Sequence, residues 1–293
     1  MRYCIYLVTT TNTETDSNNS FNNSAITAVE IGKPKGGPNV KTLRQDRWWI
    51  QPTLTFIGLF LFVVYGSWAA IRNNDYYTAN ILGRTIGRNY LSPFYSPCIA
   101  NNCQYTTVPI LGSWYKLSPA IIILIFPMGF RLSCYYYRKA YYRSFWFSPP
   151  ACAVKEPHKK YSGESKFPLI MNNIHRYFWY AAVLFAAILT LDAINAFRFP
   201  NGSIGMGLWT LVFVINAVLI WLYTLSCHSC RHLTGGRINL FSKAPIRHWF
   251  WKKVSIINPH HMLYAWLSLV WIAFTDFYVY LVASGTIHDP RFF

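Results

Sequence analysis

Met206-Gly-Leu-Trp-Thr-Leu-Val-Phe-Val-Ile-Asn-Ala-Val-Leu-Ile-Trp-Leu-Tyr-Thr-Leu-Ser-Cys227-His228-Ser-Cys230-Arg231-His232-Leu-Thr-Gly235-Gly236 carries two signals in one stretch. Its first part, residues 206–227, is an almost unbroken apolar run. A bilayer core of ~30 Å is crossed by about 20 such residues. In lipid the backbone must satisfy its own hydrogen bonds, so the run predicts a spanning helix. The second part sets two cysteines and two histidines among six residues, just before a Gly-Gly stop. Thiolate and imidazole are ligands for zinc, iron and iron–sulfur clusters. On a helix His228 and His232 share a face, so both rings can reach one metal. Cys230 falls near the opposite side and Cys227 between. The stretch offers a histidine pair to one iron, and the remaining ligands must come from elsewhere in the chain.

Working outward, four more apolar segments lie near 53–72, 117–136, 176–197 and 261–284. The chain has 293 residues, 53% of them hydrophobic and 18% aromatic, yet its net charge is +17. Nearly all of that charge lies outside the five segments, which marks an all-α membrane protein with five transmembrane helices. Most Lys and Arg fall in residues 1–52, 138–166 and 231–253, whereas the other flanks hold little beyond Arg72, Arg84, Arg88, Lys116, Arg198 and Arg291. Basic flanks stay inside. The N-terminus is therefore expected in the cytoplasm and the C-terminus outside, in a multi-pass protein of the cell membrane. The charge otherwise suits acidic lipid or an acidic soluble partner. Nucleic acid is a poor fit, because no basic soluble domain remains to bind it.

Residues 1–40 are rich in Asn, Thr and Ser and read as a disordered polar tail. Residues 41–293 form the membrane domain, entered through Trp48-Trp49 beside Arg47. The loop 73–116 is long enough to be a structured external cap. In the second segment Ser118-Pro119 reads as a helix start and Pro127 as a kink. This helix is expected to extend past the hydrocarbon through the aromatic and basic residues to Arg143. Residues 241–249 form a short basic amphipathic stretch. Asp192 and Asp276 fall in the external half as proton-path carboxylates or as hydrogen-bonded packing residues. No internal repeat, P-loop, Rossmann glycine pattern or zincin motif stands out.

Of seven cysteines, Cys98 and Cys103 belong to the external loop, where a disulfide is the simple reading. Cys4 sits in the tail. Topology brings Cys134, Cys152, His175, Cys227, His228, Cys230, His232 and His261 to one depth at the cytoplasmic face. Two stacked haems would need histidines at two depths. A single haem, for instance between His175 and His228 or His261, remains open, but four thiols at that depth are not explained by haem. Two cysteines on one iron and two histidines on the other describe a Rieske-type [2Fe–2S] centre. The usual C-x-H and C-x-x-H pair is missing, so such ligands would be scattered over helices. The plain reading keeps the cysteines as packing residues and the histidines at the interface.

The segments Arg131–Tyr142, Ser148-Pro-Pro-Ala-Cys152, His175-Arg-Tyr and Cys227–Gly236 resemble the single membrane-anchor subunit of actinobacterial-type succinate dehydrogenase, over about residues 41–287. The resemblance implies a five-helix anchor beneath a flavoprotein subunit and an iron–sulfur subunit. Electrons from succinate would pass to quinone through a Rieske-type [2Fe–2S] cluster, with no succinate-oxidising site in this chain. A haem b anchor and a cofactor-free structural membrane protein are the competing readings. From geometry, His228 and His232 are expected on one iron and Cys134 and Cys152 on the other, with Cys230 and His175 as first substitutes. Trp49, Arg176, Tyr177, His261 and Tyr264 have the right types and depth for quinone.

Overall fold

The computed structural model describes residues 46–78, 90–97, 106–107, 116–154, 157, 174–197, 204–236 and 238–292. The tail 1–40 and the cysteines Cys98 and Cys103 lie outside these residues. Four helical segments are long and apolar enough to cross a bilayer, and a bent pair, Pro119–Ser133 and Tyr135–Trp146 meeting at 78°, makes a fifth when it is counted as one span. The all-α membrane fold is therefore as expected.

Helix α1 spans Ile50–Arg72. It begins in the aromatic stretch ahead of residue 53, because Pro52 falls in its first turn, where no intrahelical N–H is needed. Its outer surface keeps Leu54, Phe60, Leu61, Val63, Val64 and Ile71 exposed, as a lipid-facing helix should. Helix α5 spans His175–Asn195, α6 spans Leu208–Leu225 and α9 spans His261–Ala283. Helix α6 is central, packed on α5 on one side and α9 on the other. Lipid gives no hydrophobic force between helices, so close approach of small residues matters. Ala69, Ala120, Ala186 and Ala265 are fully buried, and Gly129 sits directly against the Phe178 ring.

The second segment departs from expectation. It is divided into α2 (Pro119–Ile123), α3 (Ile125–Ser133) and α4 (Tyr135–Tyr141), and α4 runs on into a π turn over Tyr142–Trp146. The first break lies before Pro127, whose ring crowds the carbonyl four residues earlier, at Ile123. The second lies at Cys134, which is extended and starts a new helix. The aromatic and basic extension thus turns across the end of the bundle instead of continuing along its axis. Ser118 occupies the N-cap position, but its hydroxyl bonds the Tyr95 hydroxyl (3.3 Å) and leaves the helix N–H groups uncapped by its side chain.

The chain after α6 breaks again. Helix α7 spans His228–Gly235, and α8 spans Pro245–Ile257 where only a short amphipathic stretch was expected. Arg247 ties the two together, donating to the α7 carbonyls of Leu233, Thr234 and Gly236 at 3.0–3.2 Å. Through a 3₁₀ turn at Asn258–His260, α8 runs on into α9.

At the opposite end of the bundle, β1 (Tyr77–Thr78) pairs antiparallel with β2 (Tyr90–Leu91). The following Ser92–Ser96 segment folds back into the helices and is buried. Asp276 is fully enclosed there, accepting from Tyr65, Ser92 and Arg72. Asp192 accepts from Ser96. Both carboxylates are hydrogen-bonded packing residues in this arrangement.

Candidate metal centre

Four helix ends meet at the face where α5 and α9 begin and α3 and α6 end. Phe130-Arg-Leu-Ser133-Cys134 closes α3, and Tyr223-Thr-Leu-Ser226-Cys227 closes α6. The two pentapeptides share one pattern, aromatic-x-Leu-Ser-Cys. Both cysteines have nearly the same backbone, φ −64° and ψ 130° at Cys134, φ −62° and ψ 143° at Cys227, and each starts the next helix. This is a short internal repeat where none was expected.

The repeat is used symmetrically. Phe130 stacks on the His175 ring (4.8 Å, 5°), and Tyr223 stacks on the His261 ring (5.1 Å, 12°). Ser133 Oγ lies 2.9 Å from His175 Nδ1, and Ser226 Oγ lies 2.8 Å from His261 Nδ1. Each histidine then reaches the cysteine of the other half. His175 Nε2 is 3.1 Å from Cys227 Sγ, and His261 Nε2 is 3.4 Å from Cys134 Sγ.

The serine contacts favour one tautomer. Ser133 donates its one hydroxyl proton to the Gly129 carbonyl (2.6 Å), and Ser226 donates to the Tyr223 carbonyl (3.2 Å). Each Oγ can then only accept from the imidazole, so both rings carry hydrogen on Nδ1. The Nε2 lone pairs therefore face the thiols. A ring fixed at one nitrogen with the other free for a metal is the usual arrangement around ligating histidines.

Burial isolates the group. Cys134 and Cys227 are each 2% exposed. Loss of solvation pushes the Cys227 thiol up to about 12, and that of Cys230, one turn further, up to about 11. Without a metal these thiols stay protonated, and a bound cation is what would release them. The Tyr223 hydroxyl lies buried against Cys134 and has no hydrogen-bond partner among the described residues. Arg131 lies over the Tyr223 ring at 4.7 Å and donates to Ser268 (3.2 Å), which brings one positive charge to the edge of the group.

The expected ligands divide. Cys134 and His175 are in the group. Cys230 is buried beside it but has neither histidine as a neighbour. His228 and His232 do share a face of α7, yet both rings are exposed, and His232 Nδ1 is taken by Arg176 at 3.1 Å. The helix break at Ser226–Cys227 turns their shared face outward. Cys152 is half of a disulfide whose partner lies outside the described residues, so it offers no free thiolate. His261, expected at the quinone, is inside the thiol–imidazole group, with Tyr264 packed on its flank. Arg176 and Tyr177 are exposed, as is Trp49 at the start of α1. Cys227 was among the thiols expected at this depth but not among the expected ligands; Ser133, Ser226 and Tyr223 were not singled out, and the repeated pentapeptide was the available signal.

Two thiols and two imidazoles are the donor types that a two-cysteine, two-histidine Rieske-type cluster uses. Among the described residues no group of three or more His, Cys, Asp or Glu side chains stands close enough to hold a metal ion. The contacts made in this arrangement each pair one cysteine with one histidine.

Comparison with known proteins bears on the whole chain. Residues 50–285 match the family described as actinobacterial succinate dehydrogenase subunit SdhC. A chain of the Mycobacterium smegmatis Sdh1 complex in the apo form is 50% identical, with a TM-score of 0.78, over 89% of this chain and 98% of that one. No match was found among curated proteins. The protein thus belongs to the actinobacterial family of succinate dehydrogenase membrane subunits, SdhC.

Proposed function

We propose that this chain anchors the flavoprotein and iron–sulfur subunits of a succinate dehydrogenase to the cell membrane and relays electrons to a quinone through a Rieske-type [2Fe–2S] centre. Its ligands are Cys134 and Cys227 on one iron and His175 and His261 on the other. The observation that carries the reading is the pair of serine-fixed imidazoles, each presenting its Nε2 lone pair to a buried thiol. Bound there, such a centre supplies reversible one-electron transfer at a potential above that of an all-cysteine cluster.

The chain's own residues do the rest. Ser133 and Ser226 hold the rings, and Phe130 and Tyr223 lock their planes. Tyr223 has a free buried hydroxyl to donate to Cys134 sulfur, and a donated hydrogen bond favours the more negative, reduced state. Arg131 acts in the same direction through its charge. The apolar core around the four ligands excludes water. Quinone carbonyls would find donors at the rim, where Tyr264 flanks the group, and Arg176 and Tyr177 lie further out. The basic flanks support a position for the group on the cytoplasmic side, toward the soluble subunits.

Low-temperature EPR of the dithionite-reduced, purified complex, read beside its iron content, tests this. A Rieske-type signal is expected, absent in C134S, C227S, H175A and H261A and retained in H228A, H232A and C152S. Loss in H228A or H232A with retention in H261A would move the site to α7. Haem absorption bands without the signal would replace the cluster by a cytochrome.

A further inference from the structure

Helix α6 carries three buried side chains that each keep one polar atom without a hydrogen-bond partner among the described residues: Trp209 Nε1, Asn216 Oδ1 and the Tyr223 hydroxyl. They are 1%, 1% and 2% exposed. Buried indole, amide and phenol groups ordinarily find partners, because an unmet one is costly inside a membrane. Positions 209, 216 and 223 are seven residues apart, so the three lie on one face of the helix. That face meets α9, where Trp209 packs on the Tyr278 ring (6.0 Å) and Tyr223 on the His261 ring (5.1 Å). One unmet atom is a local defect, but three at a single spacing form a column.

The column joins two ends of different chemistry. Its first member adjoins Asp289, a half-buried carboxylate that accepts from the Trp209 backbone N–H (2.9 Å), Tyr90 (2.8 Å) and Tyr278 (2.7 Å). Its last member adjoins Cys134 and His261 in the metal-centre group. Fourteen residues lie between them, roughly 21 Å at 1.5 Å per residue. Asn216 stands midway, in the centre of the spanning helix Leu208–Leu225. Because α9 meets Trp209 through Tyr278 and Tyr223 through His261, its fully buried Ser268 and Thr275 fall at heights within the same interval. The chemistry of the three atoms selects their partner. The indole N–H needs an acceptor, the amide oxygen needs a donor, and the phenol takes either. A cation would suit Asn216 and repel the indole, and an anion would do the reverse. Water serves all three, and buried water commonly meets such groups.

We propose that the seam between α6 and α9 holds a file of water molecules, and that this file conducts protons from Asp289 to the metal-centre end of the bundle. About three waters at ~2.8 Å spacing bridge each half of the column. The inference rests on the quinone reduction proposed above and supplies its protons. A quinone that takes two electrons from succinate must also take two protons to become the quinol. Each proton enters at the Asp289 carboxylate and passes from water to water as covalent and hydrogen bonds exchange. No side chain of the metal-centre group has to change charge. A buried amide at the middle of a spanning helix is the kind of residue that marks such a path.

The test uses the complete complex. A density map fine enough to show ordered water should place a water within hydrogen-bond distance of each of the three atoms; their rotation onto protein partners would overturn the file. Transfer is read in proteoliposomes with the soluble subunits outward and a pH-sensitive dye in the lumen. Succinate and a short-chain quinone are added outside, and the lumen should turn alkaline as quinol forms. That change should be lost in N216L, a swap of similar volume, and in W209F, which keeps a ring and removes the N–H. The reduced EPR signal and iron content should be unchanged in both. Full alkalinisation in both variants would overturn the proposal. If the unaltered complex forms no quinol, the quinone relay proposed above fails. If quinol forms while the lumen pH stays constant, only the water file fails.

Discussion

Ser133 and Ser226 show how one hydroxyl can orient an imidazole. Each gives its proton to a carbonyl of its own helix and leaves an oxygen that can only accept from a histidine. In S133A or S226A the ring loses that acceptor and can flip or change tautomer. Weakened second contacts of this kind reduce metal retention by roughly 10–100-fold. Iron content and the intensity of the reduced EPR signal should fall accordingly, with partial recovery in the threonine variants. At the other end of the bundle, Asp276 and Arg72 form a pair that is 0% and 4% exposed. The Arg72 guanidinium is also held between the Trp68 and Tyr280 rings, 4.7 Å from each. D276A leaves that cation buried alone, a loss of about 3–5 kcal/mol. Thermal unfolding in detergent should show it, and R72L/D276L should recover much of the loss. Residue chemistry was partly legible in the sequence. Cysteine and histidine are recognisable metal-ligand types, which is why Cys134 and His175 could be singled out from the sequence. The serines gave no such sign, because a Ser–His contact across four helices leaves no spacing to read.

Helix lengths follow from hydropathy, and α5, α6 and α9 lie within two residues of the apolar segments at either end. Breaks do not follow from hydropathy. Residues 117–136 and 206–227 read as continuous spans, but both stop where a Ser-Cys pair turns the backbone to extended geometry. That turn buries Cys227 and swings His228 and His232 outward, so face-sharing on a helix was a sound rule applied to a helix pointing elsewhere. Close contact between elements is equally silent in sequence. A Cβ on Gly129 would stand 2.4 Å from the Phe178 ring, so in G129A either that ring swings aside or α5 shifts from α3. Overpacking of this sort costs about 1–3 kcal/mol. Because α5 begins with His175, loss of iron should accompany the lowered melting temperature. Arg247 offers a second check. R247A removes three donors from the end of α7, and hydrogen exchange should quicken over residues 228–257 while α6 and α9 stay protected.

For the whole molecule, the number of crossings was readable because lipid imposes a length on every one. Charge distribution also predicts which way round the bundle sits. Alkaline phosphatase fused near residue 290 should be active outside the cytoplasm, and a fluorescent protein at the same place should stay dark. The reverse pattern would invert the orientation and put the basic flanks and the metal-centre group on the external side. What the sequence withheld at this scale is the convergence itself. Cys134, His175, Cys227 and His261 come from four different helices, and only the packing of α6 between α5 and α9 brings them together.

The crosswise pairing of the two half-sites has a consequence for biosynthesis. His261 begins the final helix, and it alone faces Cys134 while resting on Ser226. A nascent chain that has inserted every earlier helix already holds the half built from Ser133, His175 and Cys227, and lacks only the imidazole that faces Cys134. A cofactor that needs all four side chains would be closed in by this helix last. Cofactor content then reports whether the last helix has entered the membrane, and a stalled or truncated chain would reach the assembly machinery visibly incomplete.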